Sequence, residues 1–543
     1  MKSLKKKISL SLYILLLTTI ACDEKSEPVL NTEIRFLYED CSNNPIKHTN
    51  SIPSNITSIF ITLKKENNTV LEKKIQNDGK NSPVIIDNIE PYDRYRLDVI
   101  AFTKENQIWS GFAKNVPIKE NSKTFVQINL TKEKGLTCAD YLKTKRFMHS
   151  SVSLQDGRIL IFGGATSIER DYDTYHIDTT DKAEIFYSYK IESAGQINTD
   201  IIAGSSTTLR SRMTSGRIGY IYERLKDGKI LIAGGINKAD LIKNPEDFFI
   251  CLNSDTSFIY DVEIFDPTTE SFRVITRLKT PFAFAQSALI GNKVYIIGGI
   301  NRDFNCKDSS TGGINNTLIT IDVADINSPI VNESTTSDIY TFFAANKIQI
   351  AEEKYLFYGG NREDGLILSP DGKSKKIDFT ISSKFDGKRP QRGYFPYAFP
   401  IKNGNLYLNV SGYDKSLNDI YFIRISSDEK ISIEPDNILD ELGFGGSYIT
   451  YGDYLFQIGG IKSIPFTISN LFLVRKIKQD GYEKVDSNLS GVKNLKRERA
   501  FHSTELIDDN SFLITGGLYF NLAQDAIVLD LAEIYNGTDT STK

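Results

Sequence analysis

Four histidines, five cysteines and one tryptophan are the whole supply of metal, thiol and indole chemistry in this 543-residue chain. His48 lies in an N-terminal segment and His176 in a polar stretch, whereas His149 and His502 stand at equivalent places in a recurring phrase. No pair of them has the spacing of a catalytic metal site, and the last two are expected to be structural. Asp171, Asp173, Asp178 and Asp181 crowd one segment and could offer oxygen ligands to calcium. That segment lacks the glycine and terminal glutamate of an EF-hand loop, so a solvated polar loop is expected. The glycine pairs of the chain end apolar runs with no helix pattern after them, which does not suit a phosphate cradle. The sequence therefore assigns no catalytic residue, no metal ligand and no cofactor.

Arg146, Arg217, Arg392 and Arg499 form a second set, each preceding an apolar run that stops at Gly-Gly or its stand-in Ser-Gly. Arginines converging at one end of a rigid scaffold could grip a carboxylate or another anion through two parallel hydrogen bonds. The same residues could instead tie neighbouring structural units together. They are carried forward as a candidate binding rim.

The elements that would position these residues are strands. The 27 Tyr, 31 Phe and 37 Gly suit a chain of strands and turns, and the length points to several domains or a large repeat architecture. With 65 basic and 69 acidic residues the net charge is −4, so the overall basic field expected of a nucleic-acid binder is missing. Four of the first seven residues are lysines and Ile8 to Ile20 is uncharged, which is the layout of a secretory signal. Thr19-Ile20-Ala21-Cys22 resembles a bacterial lipobox, which implies cleavage before Cys22 and lipidation of its thiol. Residues 1–21 are then a lipoprotein signal peptide and 22–30 a lipidated tether. The protein is expected in a bacterial cell envelope, with membrane and face left open. Two or more acyl chains anchor stably where one does not.

The remaining Cys41, Cys138, Cys251 and Cys306 are an even set for an oxidising compartment, and four cysteines allow three pairings. From residue 31 to 135 short alternating runs such as Ser58 to Leu63, Arg94 to Ala101 and Thr124 to Leu130 predict a small β-sandwich. Asn88-Ile89-Glu90-Pro91-Tyr92 before a Tyr-rich strand resembles the corner of immunoglobulin-like or transthyretin-like accessory domains.

From residue 136 to 543 one phrase recurs. Arg146 to Gly164 reads as a strand, an Asp156-Gly157 turn, a second strand and a Gly-Gly stop. It returns at Arg217 to Gly235, Pro281 to Gly299, Phe342 to Gly360, Gly445 to Gly460 and Arg499 to Gly517. A degenerate copy at Arg392 to Gly412 divides an otherwise overlong interval, giving seven units. This phrase resembles the kelch repeat, which implies an all-β chain with a seven-bladed β-propeller after the sandwich, four strands to a blade. Asp261 to Phe272 matches the family's third strand, turn and fourth strand, with Phe272 where tryptophan is usual. The last unit ends near Ala532-Glu533-Ile534-Tyr535, so residues 137–142 are expected to supply its missing outer strand. Adjacent loops in such a ring favour Cys251 with Cys306, leaving Cys41 with Cys138.

The connections after Gly164, Gly235 and Gly299 are long, and recognition is expected at the end that carries them. Kelch-type copper radical oxidases need paired His ligands that are not assembled here, and Trp109 lies outside the repeats, unlike the tryptophans of sialidase boxes. The function expected is a membrane-anchored, non-enzymatic binding protein whose propeller loops meet a protein or glycan. A kelch-type carbohydrate enzyme such as a sialate mutarotase, and a passive structural envelope lipoprotein, are the alternatives.

Overall fold

A computed structural model describes residues 28–37, 53–77, 84–172, 174–193, 201–244, 247–302, 313–335, 345–359, 364–381, 397–401, 406–410, 420–426, 428–435, 445–451, 453–463, 467–478, 481–484, 494–521, 523 and 525–537. Cys22, Cys41, His48, Asp173, Cys306 and Arg392 lie outside them. The described elements are all strands.

Near the N-terminus an eight-stranded sheet folds over on itself. One arm runs Asn68–Gln76, Ile56–Lys65, Tyr92–Thr103, Ile108–Ile118, all antiparallel. The other runs Val84–Ile86, Val29–Phe36, Lys123–Lys132, with the last two parallel. The arms join where Trp109 and Ser110 pair with Lys132 and Thr131. Alternate residues Ile59, Ile61, Leu63, Leu97, Val99, Val126 and Ile128 turn inward and share one core, as the two-residue period of a strand requires. Tyr95 Oη donates to the carbonyl of Glu90 at 2.9 Å, which holds the segment that leads into Tyr92–Thr103. The second arm is completed from far along the chain: Tyr189–Ser193 lies antiparallel on Lys123–Lys132. The division at residue 135 is therefore crossed by a strand that the repeat region lends back.

Beyond Gly135 the chain builds successive sheets that are antiparallel except where Phe379–Ile381 lies parallel beside Ile431–Pro435. The first is Ser150–Ser153, Arg158–Phe162, Ala183–Tyr187, Ser205–Thr208. The second is Ile221–Arg224, Ile230–Ala233, Asp261–Asp266, Ser271–Arg277. Further sheets begin at Gln286–Ile290, Asn346–Ala351, Tyr397–Ile401 and Ser447–Tyr451. The last runs Ser503–Asp508, Ser511–Thr515, Ala532–Asn536 and takes its outer strand, Gly135–Cys138, from before the first repeat. That strand starts two residues earlier than the sequence suggested. After Cys138 the chain turns away, and Asp140 N–H and Leu142 N–H bond to Gly204 and Asp530 carbonyls instead.

Consecutive sheets pack face to face. Phe162 and Ile185 of the first meet Ile232 and Phe265 of the second. Leu231 and Ile264 on the other face of the second meet Val294 and Ile319 of the third. The last sheet packs on the first through Leu513, Ile534, Ile159 and Ile161. The first and second sheets are thus apolar on both faces. The first strands are neighbours in turn, Ser503–Asp508 lying beside Ser150–Ser153 and Ser447–Tyr451 beside Ser503–Asp508. Gly164, at φ +85°, shows why a strand must stop on glycine: a Cβ there would meet the Phe147 carbonyl and His149 Cβ at 2.6 Å.

Candidate functional site

The arginines do not form an exposed rim. Arg146, Arg217 and Arg499 are wholly buried, and each is paired with a buried glutamate: Glu184, Glu263 and Glu533. Arg146 Nη2 donates to Glu184 Oε1 at 2.9 Å and its Nη1 to the Gly163 carbonyl at 2.9 Å. Arg217 and Arg499 reach Gly234 and Gly516 in the same way. Glu184 in turn accepts the backbone N–H groups of Lys143 and Thr144, and Glu263 accepts that of Thr214. Each trio ties the entry of a first strand to its Gly-Gly stop and its third strand. The expectation of a binding rim is corrected for these three, because a guanidinium sealed between strands has no access to a ligand. Arg392, the fourth, lies outside the described residues.

The repeat-encoded histidines are buried as well. His149 Nε2 lies 2.9 Å from Thr515 Oγ1, and His502 Nε2 lies 2.7 Å from Ser447 Oγ, so each spans to the preceding sheet. Burial holds both imidazoles well below the usual histidine range, helped by the charges of Arg146 and Arg499. They are neutral structural groups. His176 is half-exposed, and its Nδ1 meets Asp240 Oδ1 at 2.7 Å, a bond that raises its pKa. Asp178 leans toward Lys238 at 3.6 Å and Asp181 toward Arg212 at 3.7 Å, so the aspartates disperse instead of converging. Among the described residues no three His, Cys, Asp or Glu side chains are grouped to hold a metal.

Two polar constructions remain. Along the first strands, Glu505 Oε1 accepts the N–H and Oγ–H of Ser153 at 2.8 and 2.6 Å, while Arg224 donates to the Ser153 carbonyl. Burial raises the Glu505 pKa against the pull of those bonds. Glu223 accepts from Ser287 at 2.7 Å and from Lys347 at 2.8 Å, linking the second, third and fourth sheets. These groups escaped the sequence reading. Their signal was only a polar residue within each inner strand.

At the Gly-Gly ends, two of the three connections that read as long loops, those after Gly164 and Gly235, are hairpins. Ala165–Asp171 pairs with Thr174–Thr179, and Lys238–Asn244 with Asp247–Cys251. Thr174–Thr179 then pairs with Lys238–Asn244, so the two insertions form a single four-stranded sheet. Beside it lies the hairpin Leu518–Phe520 with Ala526–Val528, and next to that Ile461–Ser463 with Thr467–Ile468. Beneath them Phe147, Tyr175, Ile218, Ile236, Ile300 and Leu518 make a common apolar floor. Tyr172 at the first tip is 89% exposed, and Arg302 stacks its guanidinium 5.6 Å from the Tyr260 ring centre. This crown is a built surface. Cys251 ends its last strand and is disulfide-bonded, as is the buried Cys138. The other two cysteines of the expected pairs lie outside the described residues.

No family model matches the chain, and no curated protein does. Among solved structures it is similar to one titled "Structure of YjhT", at 14% identity over 72% of this chain and 94% of that one, with a TM-score of 0.33.

Proposed function

We propose that the sheets after Gly135 form a seven-bladed propeller of kelch type, and that the protein is a non-enzymatic binding protein of a bacterial envelope, anchored by lipid on Cys22. Its recognition surface is the crown at the Gly-Gly end. The observation that carries this reading is the pairing of Thr174–Thr179 with Lys238–Asn244, which makes two insertions one rigid sheet. Slack insertions would have no reason to share a register, whereas a recognition surface gains from being ordered before its ligand arrives. The exposed Tyr172 and the Arg302–Tyr260 stack supply aromatic and cationic anchors of the sort that dominate interfaces. The ligand is a protein or a glycan. Purified protein would be offered envelope extract and a glycan array beside Tyr172→Ala and Arg302→Ala variants of unchanged melting temperature. A specific partner lost by at least tenfold in either variant supports the crown. Full retention in both places recognition elsewhere.

A carbohydrate enzyme is the second reading, and Glu505 is the observation that favours it. A carboxyl whose pKa burial raises, beside Ser153 and Arg224, is the type of group that passes a proton to a sugar oxygen. Anomeric exchange of reducing sugars, followed by NMR with wild type and Glu505→Gln, separates the two: catalysis abolished by the substitution supports the enzyme.

A further inference from the structure

The four-stranded crown sheet has a seam where its two insertions meet, Thr174–Thr179 against Lys238–Asn244. Tyr175, Ile177 and Ala239 turn into the apolar floor and Ile168 packs against it. The two-residue period of a strand therefore sends Glu169, His176, Asp178, Lys238 and Asp240 to the opposite, outer face. There His176 stands directly across the seam from Asp240, and directly across from Glu169 of Ala165–Asp171 on its other side. His176 Nδ1 lies 2.7 Å from Asp240 Oδ1, an oxygen that also accepts Asn253 Nδ2 at 2.7 Å. The neighbouring rung of the seam is a pair of opposite charges too, Asp178 with Lys238 at 3.6 Å.

Among the described residues, the charged groups around His176 on this face are Glu169 and Asp171 of the first strand, Asp178 of its own, and Asp240 and Lys238 beyond the seam. Carboxylates outnumber the one ammonium, which is itself engaged by Asp178. A neutral imidazole can donate its N–H to Asp240 but leaves the carboxylates on either side facing a ring without charge. An imidazolium attracts both, and opposite charges directly across strands stabilise a sheet. The bond to Asp240, with the charges of Asp240, Asp171 and Glu169 behind it, outweighs desolvation and raises the His176 pKa above its ordinary value of 6.5. A raised pKa means that the closed seam is favoured fully below about pH 6.5, and that this support is lost as pH rises through the higher value. His149 and His502, buried and neutral, act in the opposite sense.

We propose that the seam is a proton-operated lock, in which protonated His176, set between Asp240 and Glu169, holds the two insertions together as one sheet and its deprotonation loosens them. Recognition at the crown is then firmer in acid; that consequence rests on the crown being the recognition surface, whereas the lock does not. The test is hydrogen exchange of the full chain, read by mass spectrometry near pH 5.5 and pH 8.5 and corrected for the intrinsic pH dependence of amide exchange. Protection of Thr174–Thr179 and Lys238–Asn244, taken relative to Ser271–Arg277 of the second sheet, should be about threefold higher in acid, the size expected of a half-exposed ion pair. His176→Gln keeps an amide donor without the charge and should abolish the difference. His176→Arg, charged throughout, should keep both strands protected at both pH values. Equal protection at the two pH values in wild type, or a difference that survives in His176→Gln, overturns the lock. A difference that vanishes in His176→Gln supports it even where Tyr172→Ala and Arg302→Ala retain their ligand, so the two readings fail separately.

Discussion

Arg146 Nη2 lies 2.9 Å from Glu184 Oε1 with neither side chain reaching solvent, and the pair recurs as Arg217 with Glu263 and Arg499 with Glu533. The carboxylate of Glu184 is further held by two backbone N–H groups, so its charge is paired on every side. Removing the arginine alone strands that charge. Arg146→Met should cost about 3–5 kcal/mol, and the double change Arg146→Met with Glu184→Leu should recover a large part of it. Denaturant midpoints of the three proteins measure this. A double variant no better than the single would show that the arginine contributes through packing, not charge.

The repeating phrase made the sheets legible because its signals are local: apolar alternation, an Asp-Gly turn and a Gly-Gly stop within twenty residues. The regular separation of 17 residues from Arg146 to Gly163 and from Arg217 to Gly234 was visible too. What the arginines do was not, because their glutamates sit at irregular distances of 38 and 46 residues on separate strands. The strand Tyr189–Ser193 escaped for a similar reason, its partner lying in another unit of the chain. The crown hairpins escaped because the Asp171 to Thr174 tip has neither Asn-Gly nor Asp-Gly, and Tyr172 takes the positive φ of 52° itself.

His149 and His502 should make stability depend on pH. Both are held neutral by burial, with pKa values well below the ordinary 6.5. Below about pH 6.5 the unfolded chain takes up protons at these positions and the folded chain does not, so stability falls as pH is lowered from 7.5 to 5. The double variant His149→Gln with His502→Gln should show a shallower decline over that window, whatever its absolute melting temperature. Parallel slopes would locate the effect in other groups.

Asp508 links the sandwich to the last sheet. Burial opposes its ionisation, but the hydrogen bonds from Lys114 and Arg96 win and hold its pKa below the ordinary value of 3.8. A depressed carboxyl stabilises above its unfolded pKa and loses that contribution as pH falls through the folded one. Docking should therefore weaken below about pH 4, and Asp508→Asn should weaken it at neutral pH and flatten the acid limb. The single tryptophan, Trp109, sits beside the Ser110–Asn536 contact and reports the separation by fluorescence. An emission profile identical in the variant would mean the clamp does not hold the units.

Lipidation at Cys22 is proposed from the lysine-rich start, the apolar run and the small Ala21 before it. Labelled palmitate should enter the wild type expressed in a bacterial host and be absent from Cys22→Ala, which should also leave the membrane fraction. Label retained by the variant would reject the anchor.

Cys138 lies in the strand that closes the last sheet and Cys251 ends the crown, and both are disulfide-bonded. With the expected partners, Cys41 and Cys306, one bond would bind the sandwich segment to the closing strand and the other would brace the crown. Loops of this length remove unfolded-state entropy equivalent to about 4 kcal/mol each in the chain-entropy account. Non-reducing peptide mapping should recover Cys41 joined to Cys138 and Cys251 joined to Cys306. The two bonds should also differ in effect. Cys138→Ala should lower the melting temperature of the whole protein, because the closing strand is the last of a sheet that packs on the first. Cys251→Ser should leave that transition nearly in place and raise hydrogen exchange across Lys238–Asn244 and Asp247–Cys251. Equal loss of melting temperature in both variants would mean that the crown folds as one unit with the sheets beneath it.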